Sequence, residues 1–403
     1  MADSAAQDAA AVAWLTSASG SQLLAQYQGH DPAELALRRP PEADGQHWRW
    51  LCEQLRLRQL QRRKFGPWAS LLLFTKQAAE QAASWACAHW KARHLSPQRQ
   101  QVADLCAGLG MDCLARAAAG AAVTAVEHNP ALVQLLAANA RSLGLSLESR
   151  QDEAVAWLRG AGQEQELILC DPDRRASGRR SLAVHDWSPD PAQVMAALSP
   201  DQDALIKLAP AVDVPQLQRQ LPERWGLWAI SVNGELKELL LHRGSSQQYA
   251  LGLAEDGSSR FQLAASGEAP VVSAQAAAAG MILADPDPAC IRAGLLAWLW
   301  RDYALAPLHP QLAWACGAQR HPNFPGSWHP ISACGRYQEK ALRRELRQRG
   351  IERLRISRRH FPDDPPTIHR RLGIREGGSH RLFCYRDADS RPSWILSMAE
   401  EFA

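Results

Sequence analysis

The chain has 403 residues, 46% of them apolar, and a net charge of +3, which allows two or three domains with sizeable cores. It lacks a run of about 18 uncharged apolar residues, so a membrane-spanning helix is not expected, and residues 1–13 carry Asp3 and Asp8 without the basic cluster of a secretion signal. Nine cysteines without a Cys-x-x-Cys, and 13 histidines without metal-ligand spacing, argue against a disulfide framework or a metal site and for reduced thiols in a cytoplasmic protein.

Charge is unevenly spread. Residues 336–386 hold 15 Lys and Arg against 6 Asp and Glu, an excess of nine, while the rest of the chain holds 30 basic and 36 acidic residues. A basic C-terminal module on an acidic body fits either a polyanionic partner or a solvated helix face.

In chain order, residues 1–95 read as a helical region. Leucines and tryptophans from Trp48 to Leu60 interleave with arginines, Gly66-Pro67 interrupts, and a second amphipathic stretch runs over 75–94 until Ser96-Pro97. The pattern then changes to short apolar runs separated by helical segments. Strands are expected at 102–105, 123–126, 146–150, 167–170 and 204–208, with helices at 114–119 and after Asn129-Pro130, an N-cap followed by proline at the first helical position. Runs at 225–232 and 236–242 flank Asn233-Gly234, a hairpin signal suited to the far edge of a sheet. A strand over 260–264 and an Ala/Gly/Ser-rich linker over 266–280 follow. Beyond Asp285-Pro286-Asp287-Pro288, a helix is expected over 289–300 and a basic helix over 336–349 stopped by Gly350, with strands at 354–356 and 382–385.

The fold class is therefore α/β. A Rossmann-like sheet is preceded by a helical region and followed by a small α+β domain. The expected divisions are 1–95 (helical), 96–275 (Rossmann-like), 281–335 (a small linking segment) and 336–403 (the basic domain).

The chemistry concentrates at strand ends. Asp104, Gly108 and Gly110 form Asp-x-x-x-Gly-x-Gly at a strand-to-helix junction, where glycine lets backbone approach a ligand. Glu127, at the end of the next strand, suits ribose hydroxyls, which leaves a dinucleotide or S-adenosylmethionine open. The turn separates them. Cys113 stands where a third glycine would be, and Asp104 and Asp112 would repel a diphosphate but suit a cationic amino-acid moiety, which favours S-adenosylmethionine. Cys106 in the turn and His128 beside Glu127 join the cofactor candidates by position. Asp152, after the third strand, reads equally as a partner for an adenine amino group or as part of an acidic cluster at a helix start.

The fourth strand runs into Asp171-Pro172-Asp173-Arg174-Arg175. Here a carboxylate can hold an acceptor amine, and Arg174 and Arg175 can hold a phosphate. Arg179-Arg180 extends the basic loop without a role. Lys207, in an apolar strand, either faces this site or snorkels at an edge. Asn233, Glu235, Lys237 and Glu238 read first as hairpin surface residues. Cys106, Cys113 and Cys170 read as buried thiols, not nucleophiles, since nothing nearby would lower their pKa. The 15 tryptophans read as core.

These residues together carry a family resemblance. The chain resembles bacterial class I methyltransferases with a C-terminal THUMP-like domain, related to an uncharacterised family with a ferredoxin-fold insert. The matching stretches are 64–68, 80–84, 104–112, 126–129, 171–175, 207–210, 234–238, 285–288, Phe324-Pro325-Gly326 and the basic run 343–359. The resemblance implies a Rossmann-like methyltransferase with S-adenosylmethionine as donor and a nucleic-acid acceptor, THUMP domains being associated with RNA modification. Asp104, Gly108, Gly110, Asp112 and Glu127 then serve the cofactor, and Asp171, Pro172, Arg174 and Arg175 the reaction. Ala107 stands where glycine is frequent, which is tolerable if its backbone is not left-handed. Asp173 replaces a small residue, and the second proline and aromatic of an Asn/Asp-Pro-Pro-aromatic motif are missing, so the acceptor base is not identified. A protein or small-molecule methyltransferase, or a non-catalytic RNA-binding protein, remain alternatives.

Overall fold

The computed structural model describes residues 2–174, 184–213, 216, 219 and 225–398. The chain divides into two compact units, residues 1–247 with 253–260, and residues 248–252 with 261–403.

Among the described residues the first unit holds seven strands: β1 (Gln101–Leu105), β2 (Ala122–Glu127), β3 (Glu148–Gln151), β4 (Leu167–Cys170), β5 (Asp203–Leu208), β6 (Trp225–Val232) and β7 (Glu235–Arg243). Their order is β3-β2-β1-β4-β5-β7-β6. The first five are parallel and β7 runs antiparallel to both β5 and β6. β4 is buried at all four positions, as a strand covered on both faces must be. The chain steps outward from β1 to β3, then crosses back to β4. That reversal leaves a crevice at the carboxyl ends of β1 and β4, where α/β sheets bind ligands.

Several expected signals take the expected form. Asn129 Oδ1 accepts from the Ala131 N–H at 3.0 Å and starts the helix Pro130–Ser142. Asn233 (φ 49°) and Gly234 (φ 75°) are both left-handed, the geometry of a two-residue hairpin turn. The N-terminal region is helical, but the stretch over 75–94 is two helices, Lys76–Gln81 and Trp85–His94. Ser84 makes the break, since its hydroxyl accepts from the Cys87 N–H and caps the second helix. Asn139, fully buried, ties this region to the helix Pro130–Ser142 by accepting from the Leu73 N–H (2.7 Å) and donating to the Leu73 carbonyl (3.1 Å).

In the second unit, β8 (Gln248–Leu253) neighbours β9 (Ser259–Ala264). The main sheet combines β10 (Ile282–Pro286), β11 (Ala306–Pro307), β12 (Ala315–Gly317), β13 (Gly326–Arg336), β14 (Arg353–Arg359), β15 (Arg375–Glu376), β16 (His380–Arg386) and β17 (Pro392–Met398) in the order β11-β12-β10-β13-β17-β16-β14-β15. Helices Glu339–Gln348 and Pro365–Leu372 bury Leu342, Leu346, Ile368 and Leu372 against Leu354 and Leu382.

Three expectations change here. The helix over 289–300 is two short helices, Pro288–Arg292 and Leu296–Asp302, because left-handed Gly294 (φ 72°) separates them. The basic helix starts at Glu339, since Arg336 still pairs with Ser393 in the sheet. The division at 335/336 therefore falls inside β13, and 281–335 and 336–398 share one sheet. The linker candidate 266–280 has no helix or strand, yet it is tied down. The Gln275 N–H donates to the Pro307 carbonyl at 2.9 Å and the Gly280 N–H to the Ile331 carbonyl at 3.0 Å.

Candidate functional site

The crevice between β1 and β4 gathers most of the residues singled out in the sequence. After β1 the turn uses three left-handed residues, Cys106 (φ 63°), Gly108 (φ 56°) and Gly110 (φ 92°), and Ala107 is not one of them. The glycines have different reasons. A Cβ at Gly110 would lie 2.1 Å from Leu136 Cδ1, whereas at Gly108 the nearest atom is 3.9 Å away. Gly110 is thus required by packing, and Gly108 leaves main chain bare in the crevice.

Glu127 organises the turn from β2. Its buried carboxylate accepts from the Gly108 N–H (2.9 Å, Oε2) and the Asn129 N–H (2.9 Å, Oε1), and exposed His128 Nδ1 lies 3.0 Å from Oε1. Each carboxylate oxygen has two acceptor positions, so one on Oε2 stays open to a hydroxyl. Asp152 is exposed nearby, its N–H donating to the Glu127 carbonyl at 3.3 Å, and its Oδ1 accepts from the Glu153 N–H. Glu153, not Asp152, caps the next helix.

Behind the turn lies a chain of ion pairs, buried at Lys91 and Glu238 and more open at Asp171. Lys91 Nζ, from the helix Trp85–His94, is 2.8 Å from Asp112 Oδ1 and 2.7 Å from Glu238 Oε2. Lys207 Nζ is 2.6 Å from Asp171 Oδ2 and 4.0 Å from Glu238 Oε1. The order Asp112–Lys91–Glu238–Lys207–Asp171 therefore runs from the first turn of the helix Met111–Ala118 to the residue after β4. Burial opposes the charge on both lysines, but the carboxylates outweigh it and hold both ammoniums above their ordinary value. Burial likewise opposes the charge on Asp112, and Lys91 and Lys207 reverse that, holding its carboxyl low. Asp104 goes the other way. Burial first, then the Asp112 and Asp171 charges, push its carboxyl well above the carboxylate range.

A cavity beside this chain is lined by Asp104, Asp112, Lys91, Asp171 and Lys207. Lys207 thus faces the site instead of snorkelling at an edge. Pro172 is buried and Arg174 half-buried. Asp173 exchanges two backbone hydrogen bonds with Ser188 (2.8 and 3.0 Å), closing the base of the loop. Arg175, Arg179 and Arg180 lie outside the described residues. The Cys106 thiol is pushed well up by its hydrogen bond with Cys170, then by burial, so it is no thiolate nucleophile. Among the described residues no cluster of three His, Cys, Asp or Glu is arranged to hold a metal ion, and no helix is long and apolar enough to cross a membrane.

Two participants escaped the sequence reading. Glu238, taken for a surface charge, is 2% exposed, and Lys91, which drew no notice, is 5% exposed. A bulge explains Glu238. The β6–β7 register shifts between Ile230, opposite Glu238, and Ser231, opposite Leu236, so the inside-outside alternation breaks at Lys237.

Comparison with known proteins gives three likenesses. Residues 326–399 match the family described as THUMP domain-like. Proteins of two Mycobacterium tuberculosis strains, CDC 1551/Oshkosh and H37Rv, each named an uncharacterised S-adenosylmethionine-dependent methyltransferase, are 26% identical over 340 residues, covering 81% of this chain and 89% of theirs. The crystal structure of a candidate methyltransferase from Porphyromonas gingivalis W83 superposes with a TM-score of 0.77 at 21% identity, covering 94% of this chain and 97% of that one, which establishes the shared fold.

Proposed function

We propose that this chain, an S-adenosylmethionine-dependent methyltransferase with a THUMP-like C-terminal module, methylates RNA. The residues at the crevice fit the donor. Asp104, Asp112 and Asp171 line the cavity, the Gly108 main chain is bare, and Glu127 keeps an acceptor position for a ribose hydroxyl. When bound, the donor supplies a methyl group carried on a sulfonium. Asp104, Gly108, Gly110, Asp112 and Glu127 hold it, with Cys106, His128 and Asp152 at the rim. Asp171, paired with Lys207, accepts a hydrogen bond from the acceptor amine and orients it. Pro172 stiffens the turn, and Arg174 and Arg175 meet the acceptor's phosphate.

The observation that carries the RNA reading is a stripe on the helix Glu339–Gln348. Lys340, Arg344 and Arg347 recur at i, i+4 and i+7, all exposed, and none forms an ion pair among the described residues. The neighbouring flank is neutralised by Arg343–Glu339 (2.7 Å) and Arg349–Glu345 (2.7 Å). At about 1.5 Å per residue the stripe spans about 10 Å, the reach of two successive phosphates. Exposed cations left unpaired beside paired ones suit a polyanion.

The test is RNA binding against salt concentration. The wild-type chain binds with a steep slope of log affinity on log salt. Reversing Lys340, Arg344 and Arg347 to glutamate lowers that slope by about 2. An unchanged slope removes the stripe from the interface. Nucleoside mass spectrometry of RNA incubated with the chain and labelled donor then identifies the base, and absence of label in any nucleoside rules out RNA as acceptor.

A further inference from the structure

We infer that Glu238 is the residue by which the donor edge distinguishes the positively charged methyl donor from its neutral-sulfur product. The inference rests on the methyl-donor reading above. Loss of the methyl group turns a sulfonium into a thioether, so donor and product differ by one positive charge and little shape. A site that prefers donor over product can do so by reading that charge.

The ion-pair chain has an uneven count. Asp112 is matched by Lys91 and Asp171 by Lys207, each within 2.8 Å. Glu238 is the third carboxylate against two ammoniums. Its Oε2 touches Lys91, while its Oε1 is buried without a hydrogen-bond partner and 4.0 Å from Lys207. The other buried cation on the cavity, Arg116, forms no ion pair with Glu238 among the described residues. Its guanidinium donates to the carbonyls of Ala92 (3.1 Å), Leu95 (2.5 Å) and Ser96 (3.5 Å), the carbonyl end of the helix Trp85–His94. The Lys64 ammonium donates to the carbonyls of Ala79 (2.7 Å) and Glu80 (3.0 Å) and pairs with Glu238 only at longer range. Glu238 is thus the ion-pair chain's third carboxylate, without an ammonium of its own, behind a cavity whose walls weaken solvent screening.

A carboxylate fixed there attracts a cation more than a neutral group of the same shape, whatever the total charge of the surroundings. Glu238 touches neither Asp104 nor the glycine turn by any hydrogen bond among the described residues. It acts through the two lysines and is a positioning residue.

Isothermal calorimetry on the full chain tests this with three ligands: S-adenosylmethionine, S-adenosylhomocysteine, and sinefungin, whose amine carries the positive charge where the sulfonium stands. The wild type prefers the two cations over S-adenosylhomocysteine. Glu238→Gln lowers both preference ratios by about tenfold and changes S-adenosylhomocysteine affinity little. Glu238→Asp keeps the ratios. Lys207→Gln, which unpairs one more carboxylate, raises them and serves if Glu238→Gln does not fold. A folded Glu238→Gln chain that loses affinity for all three ligands by one factor overturns the inference, because a merely structural role does that. Failure of the wild type to bind any of the three overturns the donor reading and the inference with it.

Discussion

Lys91 and Glu238 meet at 2.7 Å although 147 residues separate them, and their side chains are 6% and 2% exposed. Neither can lose the other without leaving a charge buried. Lys91→Met and Glu238→Gln are each expected to cost about 3–5 kcal/mol in urea unfolding, and the double variant less than their sum. Additive costs would mean the two charges are solvated independently.

Asp104 makes stability depend on pH in the unusual direction for a carboxylate. Its folded pKa is raised, so the folded state favours the protonated form. The penalty begins as pH rises above about 4 and grows until the folded pKa is passed. Asp104→Asn removes that ionisation. Thermal unfolding should show the variant gaining on the wild type as pH rises from 4 to 8, and a constant difference would contradict the assignment.

The two turn glycines should respond differently to the same substitution. Gly108→Ala meets no close neighbour and bears only the left-handed backbone, about 1 kcal/mol. Gly110→Ala adds a clash with Leu136 and should cost about 2 kcal/mol more, with loss of donor binding. Melting temperatures and donor calorimetry on the pair check the order.

In the second unit, His329 is buried against Phe383, with ring centroids 4.8 Å apart, and burial, then Arg381 and Arg320, lower its pKa from 6.5 to about 4. The folded state therefore favours neutral imidazole. Its stabilising contribution is complete above pH 6.5 and is lost as pH falls toward 4, by up to about 3 kcal/mol. His329→Gln should flatten the acid limb of the unfolding profile over that window. A profile identical to wild type would exclude His329 as the group responsible.

What could be read from the sequence follows from how local each signal is. The caps at Asn129 and the turn at Asn233-Gly234 are decided by neighbouring residues, and both take the expected geometry. The strand ends at Asp104, Glu127 and Asp171 were visible because apolar runs stop there. Lys91 was not, because the helix Trp85–His94 buries seven of its ten residues and a polar position within it carries no facing signal. Glu238 was hidden by a bulge, a one-residue register change that exists only once β6 and β7 pair. The break at Gly294 was missed for the opposite reason, since a single glycine is tolerated in many helices and only its left-handed φ of 72° ends this one.

The tie between Asn139 and Leu73 bears on how the chain is made. The helices before residue 95 leave the ribosome first, yet the partners of Leu73 and Lys91 are residues 139 and 238. Until strand β7 has emerged, Lys91 has no Glu238 to sit against and cannot be buried at its final depth. This edge of the crevice is therefore completed late in synthesis, and a nascent chain stopped before residue 238 should expose the helix Trp85–His94 to chaperones and proteases.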